Sequence, residues 1–575
     1  MALGRTLRTV VHLRPSQVLC RLRRRMESWF PPRPPLITGT LRVREDGAGP
    51  SVGAREVPET SLEELGSGRL TLLNRTLALG KEGPDWRLGP QTRDRLQIAT
   101  LHYHGWLYAL AQVIARQGAD AARADQLLRL YLEDWTARCS LQASGSRDLA
   151  WNSYAVATRI GWWVRFYALL GPEKRASWGG LERAFLESLW QQAAHLRRHL
   201  EYDLRANHLL RDAVGLAWAG RFFAGDEAAE WLSTATELAR EQITEQVLPD
   251  GGHFERSPMY HVTVMEDILA LAVLAEDAEV AAKLREAWTR MADFLRWVRH
   301  PDGQIALLND AALNGAPAPG DALAHGAALR LPAQGDALRG GRVFRDTGLA
   351  VWHSPIWTCV FDTGPLGPDY QLGHGHADSL SIEASFKGRR LIVDPGTWGY
   401  DDDERRRYDR STAAHNTVCI AGEDSSEVWS IFRVGRRARA IPPESEEATN
   451  RLSVRSASHT GYERLPGEPN HTRTMIAGEN TLVIQDGIEA RKALPVSGGF
   501  LLAPDWGAEA APQGWRLSGS GLRVAVQVAS PKPLHLGIET AAYHPEFGKE
   551  VQASRLVWRY EGEFPLHVSF TFESA

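Results

Sequence analysis

The sequence predicts an α+β protein of several domains, in which a helical toroid or bundle is followed by an antiparallel β-sandwich. First, 575 residues are too many for one hydrophobic core. Second, apolar residues recur every three to four positions from about residue 91 to residue 300, the period of amphipathic helices. Third, after a connector rich in Gly, Pro and Ala at residues 314–341, the period becomes two, which indicates strands.

Three regions are expected along the chain. Residues 1–90 should form a basic helix and an irregular collar, residues 91–330 the helical domain, and residues 331–575 the sandwich. The opening "MALGRTLRTVVHLRPSQVLCRLRRRMESWF" is basic and amphipathic, without an apolar run long enough for a signal peptide or a membrane span. We expect it to pack on the body of the protein, with contact to an acidic membrane surface as the alternative. A cytoplasmic location is the default expectation, and the bacterial periplasm or export by another route stays open.

The helical domain is predicted from four segments with helical spacing, which are "LHYHGWLYALAQVIARQ", "YAVATRIGWWVRFYALL", "LERAFLESLWQQAAHLRRHL" and "AAKLREAWTRMADFLRWVR". Short breakers such as "LGPEK", "AGDEA" and "LPDGG" separate the helices. Eight to ten antiparallel helices are therefore expected. In the second half, "GLAVWHS", "WTCVFDTG", "LSIEASFKGRRLIVDPG", "NTVCIAG", "NTLVIQDGIEA", "LRVAVQVAS" and "PLHVSFTFE" alternate as strands do.

Composition narrows the class of function. The net charge of −4 gives no general reason to expect nucleic acid as a partner. The four cysteines lie far apart, without the CxxC spacing of a cysteine zinc site and without the pattern of a disulfide framework. Twenty tryptophans are a high number, and burial in the core is favoured over stacking on sugars.

The stretch "GHGHADSLSIE" concentrates ionisable groups beside a predicted strand. His374 and His376 are two residues apart, so on an extended segment both would face the same side. A hairpin would return Asp394 beside them, and His415 begins the following strand. Two histidines and a carboxylate suit a zinc ion with water as its fourth ligand. A hydrogen-bonded polar turn explains the same residues equally well.

Two helical segments carry further polar clusters. Asn207 and Arg211 share one helix face, although an N-cap with satisfied core polar groups is the more common explanation for such an Asn. In "DGGHFERSPMYH" five ionisable residues crowd a helix start that Ser257 could cap and Pro258 could open. These residues, His253, Glu255, Arg256, Tyr260 and His261, favour a functional site over a solvated face.

The combination of "NHLLRDAVGLAWAG", "DGGHFERSPMYH", "HGHADSLSIE", "VDPGTWGY" and "RSTAAHNTV" closely resembles the heparinase II/III-like polysaccharide lyases. The resemblance covers nearly the whole chain in the same order. It implies an incomplete (α/α) toroid followed by an antiparallel β-sandwich. It also implies β-elimination on a uronic-acid-containing polysaccharide, either a glycosaminoglycan such as heparan sulfate, hyaluronan or chondroitin, or an alginate-like polymer.

The resemblance assigns roles to individual residues. Asn207 would neutralise the substrate carboxylate, with its neighbour His208 as the alternative, Tyr260 would act as acid or base, and His374 as the second acid or base. A zinc ion, or another divalent cation, would be held by His376, Asp394 and His415. Candidates for lining the cleft are His208, Arg211, Glu255, His261, Trp151 and Arg159.

Three questions stay open at the level of sequence. Arg405, Arg406 and Arg407 either meet an anionic polymer or pair with the acidic residues 401–404 in a solvated loop. A glycoside hydrolase would instead use Glu255 with Asp212 or Asp310 as a carboxylate pair. A non-catalytic polysaccharide-binding or assembly protein is the third alternative.

Overall fold

The computed structural model describes residues 2–31, 33–37, 40–44, 61–80, 85–87, 94–332, 335, 338–441, 447–448 and 452–575. The chain forms two compact units. The helical unit comprises Arg14–Glu245 and Val264–Trp288. The sheet unit comprises Met1–Leu13, Gln246–Thr263 and Thr289–Ala575. Both units are discontinuous in sequence, whereas the boundaries at residues 90 and 330 follow the change of period and stay predictions.

Helices precede the main run of strands, as predicted. The helices within the described ranges are α1 (Ala2–Val10), α2 (Pro15–Glu27), α3 (Leu62–Gly66), α4 (Arg95–Tyr103), α5 (Gly105–Ala115), α6 (Ala121–Arg138), α7 (Ser153–Ala176), α8 (Gly180–Arg198), α9 (Ala206–Phe222), α10 (Asp226–Gln246), α11 (Pro258–Leu274), α12 (Ala278–Val298), α13 (Pro319–Ala328) and α14 (Glu404–Arg410). Nine of them, α4 to α12, lie between residues 95 and 298, in agreement with the predicted eight to ten.

Local sequence explains how these helices begin and bend. Asn152 caps α7, because its side chain accepts hydrogen bonds from the N–H groups of Tyr154 and Ala155. The predicted breaker "LGPEK" is a kink inside α7 at Gly171, whose φ of 72° is left-handed, just before Pro172. The predicted break "AGDEA" holds Gly225 between α9 and α10, with a φ of 113°.

Buried tryptophans fill much of the helical core. Trp135 and Trp163 meet at a ring distance of 5.5 Å, and the Trp163 indole donates to His104 Nδ1 at 2.9 Å. Other buried tryptophans of this unit are Trp86, Trp106, Trp151, Trp162, Trp178, Trp190, Trp218, Trp231 and Trp288. The core interpretation of the tryptophan content is confirmed for these residues.

The strands described are β1 (Arg69–Leu72), β2 (Arg75–Ala78), β3 (Gly340–Phe344), β4 (Leu349–His353), β5 (Trp357–Asp362), β6 (Ile382–Phe386), β7 (Arg389–Ile392), β8 (Val418–Ile420), β9 (Val428–Trp429), β10 (Arg433–Val434), β11 (Ala440–Ile441), β12 (Glu447–Ala448), β13 (Leu452–His459), β14 (Asn470–Gly478), β15 (Thr481–Glu489), β16 (Leu494–Leu501), β17 (Gly507–Ala511), β18 (Gly514–Gly519), β19 (Leu522–Ala529), β20 (His535–Glu546), β21 (Lys549–Gly562) and β22 (Leu566–Ser574). The hairpin β1–β2 and helix α3 fall in the region predicted as an irregular collar.

Three large antiparallel sheets and the two-stranded sheet β9–β10 lie in the described part of the sheet unit. One is the meander β3-β4-β5-β6-β7, and a second has the order β20-β21-β16-β8. The third follows β11-β13-β14-β15-β22-β19-β18-β17, with β12 paired to β13. Aromatic side chains join them, because the Phe572 ring of β22 lies 6.5 Å from Trp357 of β5 and 5.4 Å from Phe500 of β16. This arrangement is the predicted sandwich.

Loops of this unit carry the predicted chemistry. His374 and His376 lie in the loop between β5 and β6, six or more residues before the strand, and so the extended segment predicted for them is wrong. Residues 393–417 connect β7 to β8 and include α14. No helix in the described part of the chain is long and apolar enough to cross a membrane.

Candidate active site

Tyr260 stands in the first turn of α11, where the sequence predicted a helix start. Pro258 is the first helical residue, and Ser257 Oγ accepts a hydrogen bond from the Tyr260 N–H at 3.3 Å. The phenol ring stacks on His374 with 3.8 Å between ring centres. Its Oη lies 2.9 Å from the Oη of Tyr400. Two phenols and an imidazole therefore meet in one place.

The carboxylate of Asp310 lies next to this group and binds His374. Its Oδ2 lies 2.9 Å from Nδ1 of His374, and its Oδ1 lies 2.8 Å from Nε2 of His376. The Arg406 guanidinium binds both oxygens, with 2.9 Å between Nη2 and Oδ2. Burial alone would raise the pKa of Asp310, but Arg406 and the two histidine hydrogen bonds hold that pKa well below its ordinary value. The carboxylate is therefore ionised.

An ionised Asp310 fixes the tautomer of His374. A carboxylate only accepts hydrogen bonds, so Nδ1 of His374 must carry the proton that it donates. In the neutral ring, Nε2 is then the lone-pair nitrogen, and it lies 3.7 Å from Oε1 of Glu255. The same logic orients the histidine of serine hydrolases towards its substrate.

Hydrogen bonds that each involve at least one backbone group join the three segments that supply these residues. The N–H of Asp310 donates to the carbonyl of His374 at 3.1 Å, and Ser257 Oγ donates to the carbonyl of Asp310 at 2.5 Å. Asn309, at a left-handed φ of 56°, accepts from the His376 N–H at 2.9 Å. A non-glycine residue held in this region is typical of functional sites.

Arg406 corrects the prediction for the arginine run. It is buried, and its guanidinium lies 5.0 Å from the Tyr400 ring and 5.5 Å from the Phe432 ring. Arg406 belongs neither to a solvated loop nor to a polymer-facing surface, because its guanidinium is buried and paired with Asp310. Arg405 pairs with Glu550 at 3.2 Å and with Asp403 at 3.6 Å. Arg407 pairs with Asp402 at 3.6 Å, so the predicted pairing with the acidic residues 401–404 is confirmed for these two arginines.

Sequence reasoning missed Tyr400, did not distinguish Arg406 from the neighbouring arginines, and considered Asp310 only as half of a hydrolase pair. Tyr400 ends the quoted motif "VDPGTWGY", and Asp310 lies after α12. Neither residue stands at a spacing from other ionisable residues that would indicate a site. Arg406 was one of three identical neighbours. Only the fold of the loops distinguishes it from the other two.

The predicted metal residues lie close together. Nδ1 of His415 is 2.8 Å from Oδ2 of Asp394, and the rings of His376 and His415 are 5.3 Å apart. Burial would lower the pKa of His415, but Asp394 raises it to about 8. Burial lowers the pKa of His376 to about 3 despite its bond to Asp310.

These residues have the donor types that zinc prefers. Nδ1 of His376 and Nε2 of His415 are buried and have no hydrogen-bond partner among the described residues. Each ring thus keeps one nitrogen that a cation could use. Among the same residues, however, no three His, Cys, Asp or Glu side chains surround a common metal position.

The two remaining predicted residues of this unit are buried. Glu255 is close to His374, as described, and its Oε2 lies 3.8 Å from Nε2 of His253. His261 places Nε2 3.0 Å from the carbonyl of Met291, and burial lowers its pKa to about 4. His261 is therefore neutral and attached to α12, which indicates support of α11.

In the helical unit, two predicted residues, His208 and Arg211, contact Tyr154. Asn207 is buried in the first turn of α9. The His208 ring lies 4.8 Å from the Tyr154 ring, with Nδ1 3.1 Å from Glu201, and the Arg211 guanidinium lies 5.5 Å from the same ring. Arg211 also pairs with the buried Asp267 at 3.0 Å. This forms a second polar cluster within the unit.

Trp151 and Arg159 are core residues of the helical unit. The Trp151 indole donates to the carbonyl of Cys139 at 2.7 Å. Arg159 donates to Gln192 at 2.7 Å and to the carbonyl of His102 at 2.9 Å, and it lies over Trp135 at 4.4 Å. Both side chains pack and position helices, and direct contact with a substrate stays a prediction.

Two family models match this chain. Residues 75–318 match the model described as Heparinase II/III N-terminus, and residues 336–571 match the one described as Heparinase II/III-like, C-terminal. Together they cover most of the chain in the order of the fold. The protein belongs to the heparinase II/III-like family.

Individual proteins are similar to this chain in sequence or in fold. The chain is 24% identical over 400 residues to a heparin-sulfate lyase of Bacteroides stercoris, which covers 61% of this chain and 58% of that protein. It is 28% identical over 423 residues to FtsZ-localized protein C of Caulobacter vibrioides, covering 72% of this chain and 67% of the relative. A crystal structure of heparinase III shares the fold, with a TM-score of 0.73 at 17% identity over 87% of this chain and 80% of that one.

Proposed function

We propose that the protein is a polysaccharide lyase that cleaves a uronic-acid-containing polysaccharide by β-elimination. The observation that carries the proposal is the arrangement of Tyr260, Tyr400 and His374 around the ionised Asp310. The heparin-sulfate lyases among the relatives support a glycosaminoglycan as the substrate class.

The reaction sets three chemical tasks. The proton on C5 of the uronate is weakly acidic while the neighbouring carboxylate is charged, so that charge must be neutralised. A base must remove the C5 proton, and an acid must protonate the departing O4. Hydrogen-bond donors directed at the carboxylate stabilise the negative charge that develops in the transition state.

Tyr260 and His374 supply the proton-transfer groups. Tyr260 delivers a proton to O4, and the Tyr400 hydroxyl, 2.9 Å away, can donate to the phenolate that results. His374 offers Nε2 as the base because Asp310 holds the proton on Nδ1. If the C5 proton and O4 leave from one side, as in glucuronate, Tyr260 can do both tasks. If they leave from opposite sides, as in iduronate, His374 is the base.

Asn207 is proposed to neutralise the uronate carboxylate, with His208 as the alternative. This assignment rests on the resemblance of "NHLLRDAVGLAWAG" to the family and on the buried position of Asn207 in the first turn of α9. Asn207→Ala should then lower the rate of C5 proton removal more than it weakens substrate binding.

We propose further that His376, Asp394 and His415 hold a divalent cation, with zinc favoured by the donor types. Such an ion would tie the loop before β6 to the loop after β7 and support the position of His374. Elemental analysis of the purified protein should find zinc, and His376→Ala should lose it. Exposed His535 gives a matched control as His535→Ala. Zinc retained at wild-type stoichiometry in His376→Ala would contradict this ligand set.

The hydrolase alternative that pairs Glu255 with Asp310 is disfavoured by the contacts of Asp310. A glycosidase needs one protonated carboxylic acid and one ionised carboxylate that acts as base or nucleophile. Asp310 fits neither role, because Arg406 keeps it ionised and, together with two histidines, occupies both of its oxygens. A non-catalytic binding protein would have no need of a histidine held in one tautomer beside two phenols.

The test is an absorbance assay over a panel of glycosaminoglycans, alginate and other polyuronates. A lyase creates an unsaturated uronate that absorbs in the ultraviolet, so at least one polymer should give a rising signal. Tyr260→Phe removes only the hydroxyl and should lower the rate by about 10²- to 10⁴-fold. Polymer binding without absorbance, and with Tyr260→Phe equal to wild type, would leave a binding or assembly protein.

A further inference from the structure

Helix α1 is attached to the sheet unit by its polar side and leaves its apolar side exposed. Arg8 donates to Glu427 at 2.8 Å through Nε, Arg5 reaches the same carboxylate at 3.2 Å, and Thr9 Oγ1 donates to the carbonyl of Val434 at 3.0 Å. A helix of a globular protein normally packs its apolar face against the core and exposes its polar face to water.

The exposed side of α1 is a continuous apolar stripe. Leu3, Leu7 and Val10 follow one another at spacings of four and three residues, so they share one face. Leu3 is 75% exposed, Leu7 62%, and Val11, just after the helix, 75%. Single exposed apolar residues are common, but a stripe of them marks an interaction site.

A strongly basic cavity adjoins this stripe. It has a volume of about 310 Å³, large enough for a small ligand group, and Val11 lines it. Its basic lining consists of the five arginines Arg8, Arg436, Arg437, Arg439 and Arg464, together with His12. No acidic side chain of the described residues lines it. Glu427 and Asp369 lie nearby and pair with Arg8 and Arg437, respectively. Burial, followed by the charge of Arg437, lowers the pKa of His12, as expected where cations are crowded.

In the helical unit, α2 is inverted in the same way. Gln17 and Arg21 donate to the carbonyl of Asp203 at 3.2 Å each, and Arg24 pairs with the Asp203 carboxylate at 3.2 Å. The large apolar residues that α2 and the residues after it leave exposed are Val18, Leu19, Leu22, Met26, Trp29 and Phe30. The first 30 residues hold seven arginines and one acidic residue.

We propose that α1 and the basic cavity beside it form a binding site for an acidic membrane surface, with lipid phosphates in the cavity and the apolar stripe among the acyl chains. Exposed Leu, Val, Trp and Phe interleaved with arginines are the composition of helices that lie in a membrane interface. A sugar polymer would use the cavity but would leave the stripe in water. A protein partner would not require five arginines around one cavity. This site is separate from the proposed lyase reaction.

The test is flotation of the full chain with vesicles. The protein should float with equal parts of phosphatidylcholine and phosphatidylglycerol and stay behind with phosphatidylcholine alone. Arg439→Glu reverses a charge at the cavity and should weaken binding about 5- to 30-fold. Leu7→Glu should weaken binding to a similar degree, because it places a charge in the apolar stripe. Matched controls are Arg183→Glu and Leu130→Glu, which change exposed residues of α8 and α6.

Each alternative has its own outcome. No flotation with acidic vesicles, or equal flotation with both kinds, overturns the proposal. If Leu7→Glu binds acidic vesicles as wild type does while Arg439→Glu does not, the apolar stripe has no part in binding and the membrane proposal is overturned. The cavity is then a site for a soluble anion, and inorganic phosphate should bind equally well to wild type and to Leu7→Glu. Tyr260→Phe should float normally, and Leu7→Glu should keep activity on a soluble polymer, so failure here is distinct from failure of the lyase proposal.

Discussion

At the scale of single residues, Asp310 decides what the site can do. It was considered in the sequence only as half of a hydrolase pair, because nothing in the spacing of the chain shows that Arg406 returns to it. Its hydrogen-bond partners His374 and His376 were singled out from the sequence because a repeated histidine beside an aspartate is a local signal. Their opposite use of Asp310, through Nδ1 in one and Nε2 in the other, depends on loop geometry.

Asp310→Asn should abolish the tautomer control while keeping the shape of the side chain. We expect kcat to fall by about 10²- to 10⁴-fold with a small change in KM, since a histidine without its ionised partner is a poor base. Stability should also fall, by about 3–5 kcal/mol, because Arg406 stays buried without its counter-charge.

The control for Asp310→Asn is Asp402→Asn, which removes an exposed carboxylate just before α14 that pairs with Arg407. It should change neither rate nor stability measurably. If Asp310→Asn keeps the wild-type kcat and pH profile, the orienting role is wrong. If it fails to fold, Asp310→Glu, which keeps the charge, separates a folding defect from a catalytic one.

At the scale of elements, the strands were the most predictable part of the sheet unit. Alternation identified β15, β19 and β22, because one face of each is buried and the other is less so. Strands β4 and β5 are buried on both faces and were identified by the turn residues that bound them. The loops were not predictable, since the path of residues 363–381 and 393–417 follows from contacts distant in sequence. The helix start at Pro258 was predictable because capping is local.

A buried ion pair joins β14 to β15. Arg473 and Asp486 are directly opposite in the register, with 2.7 Å between Nε and Oδ1, and His471 Nε2 lies 2.8 Å from the same oxygen. Burial alone would raise the pKa of Asp486, but Arg473 and His471 hold it below its ordinary value. The ionised form is therefore the one that the fold stabilises.

Asp486→Asn should lower stability at neutral pH by about 3–5 kcal/mol. Because the pKa of Asp486 is depressed in the folded state, its contribution is complete above the unfolded value of about 4 and is lost as the pH falls towards the folded value. Denaturant midpoints of wild type and variant should therefore converge below about pH 4. Glu509→Gln, which alters an exposed cross-strand pair with Arg516, is the control and should show no such trend. A difference independent of pH would refute the assignment.

At the scale of the whole molecule, the order of helices and sheets was predictable from the change of period, and the family from five short motifs. The division into units was not, because Gln246–Thr263 joins the sheet unit although its neighbours in sequence are helical. The inverted packing of α1 and α2 was also hidden, since a hydrophobic period shows which residues share a face and not whether that face turns inwards.

The central claim is elimination without water as a reactant. Digestion of the active polymer in heavy-oxygen water, followed by mass spectrometry of the products, measures this directly. The account predicts fragments whose new non-reducing end lacks the elements of water, with no solvent oxygen in products analysed before the hemiacetal at the new reducing end exchanges with the solvent. One heavy oxygen in each product pair, with saturated ends, would show hydrolysis and contradict it.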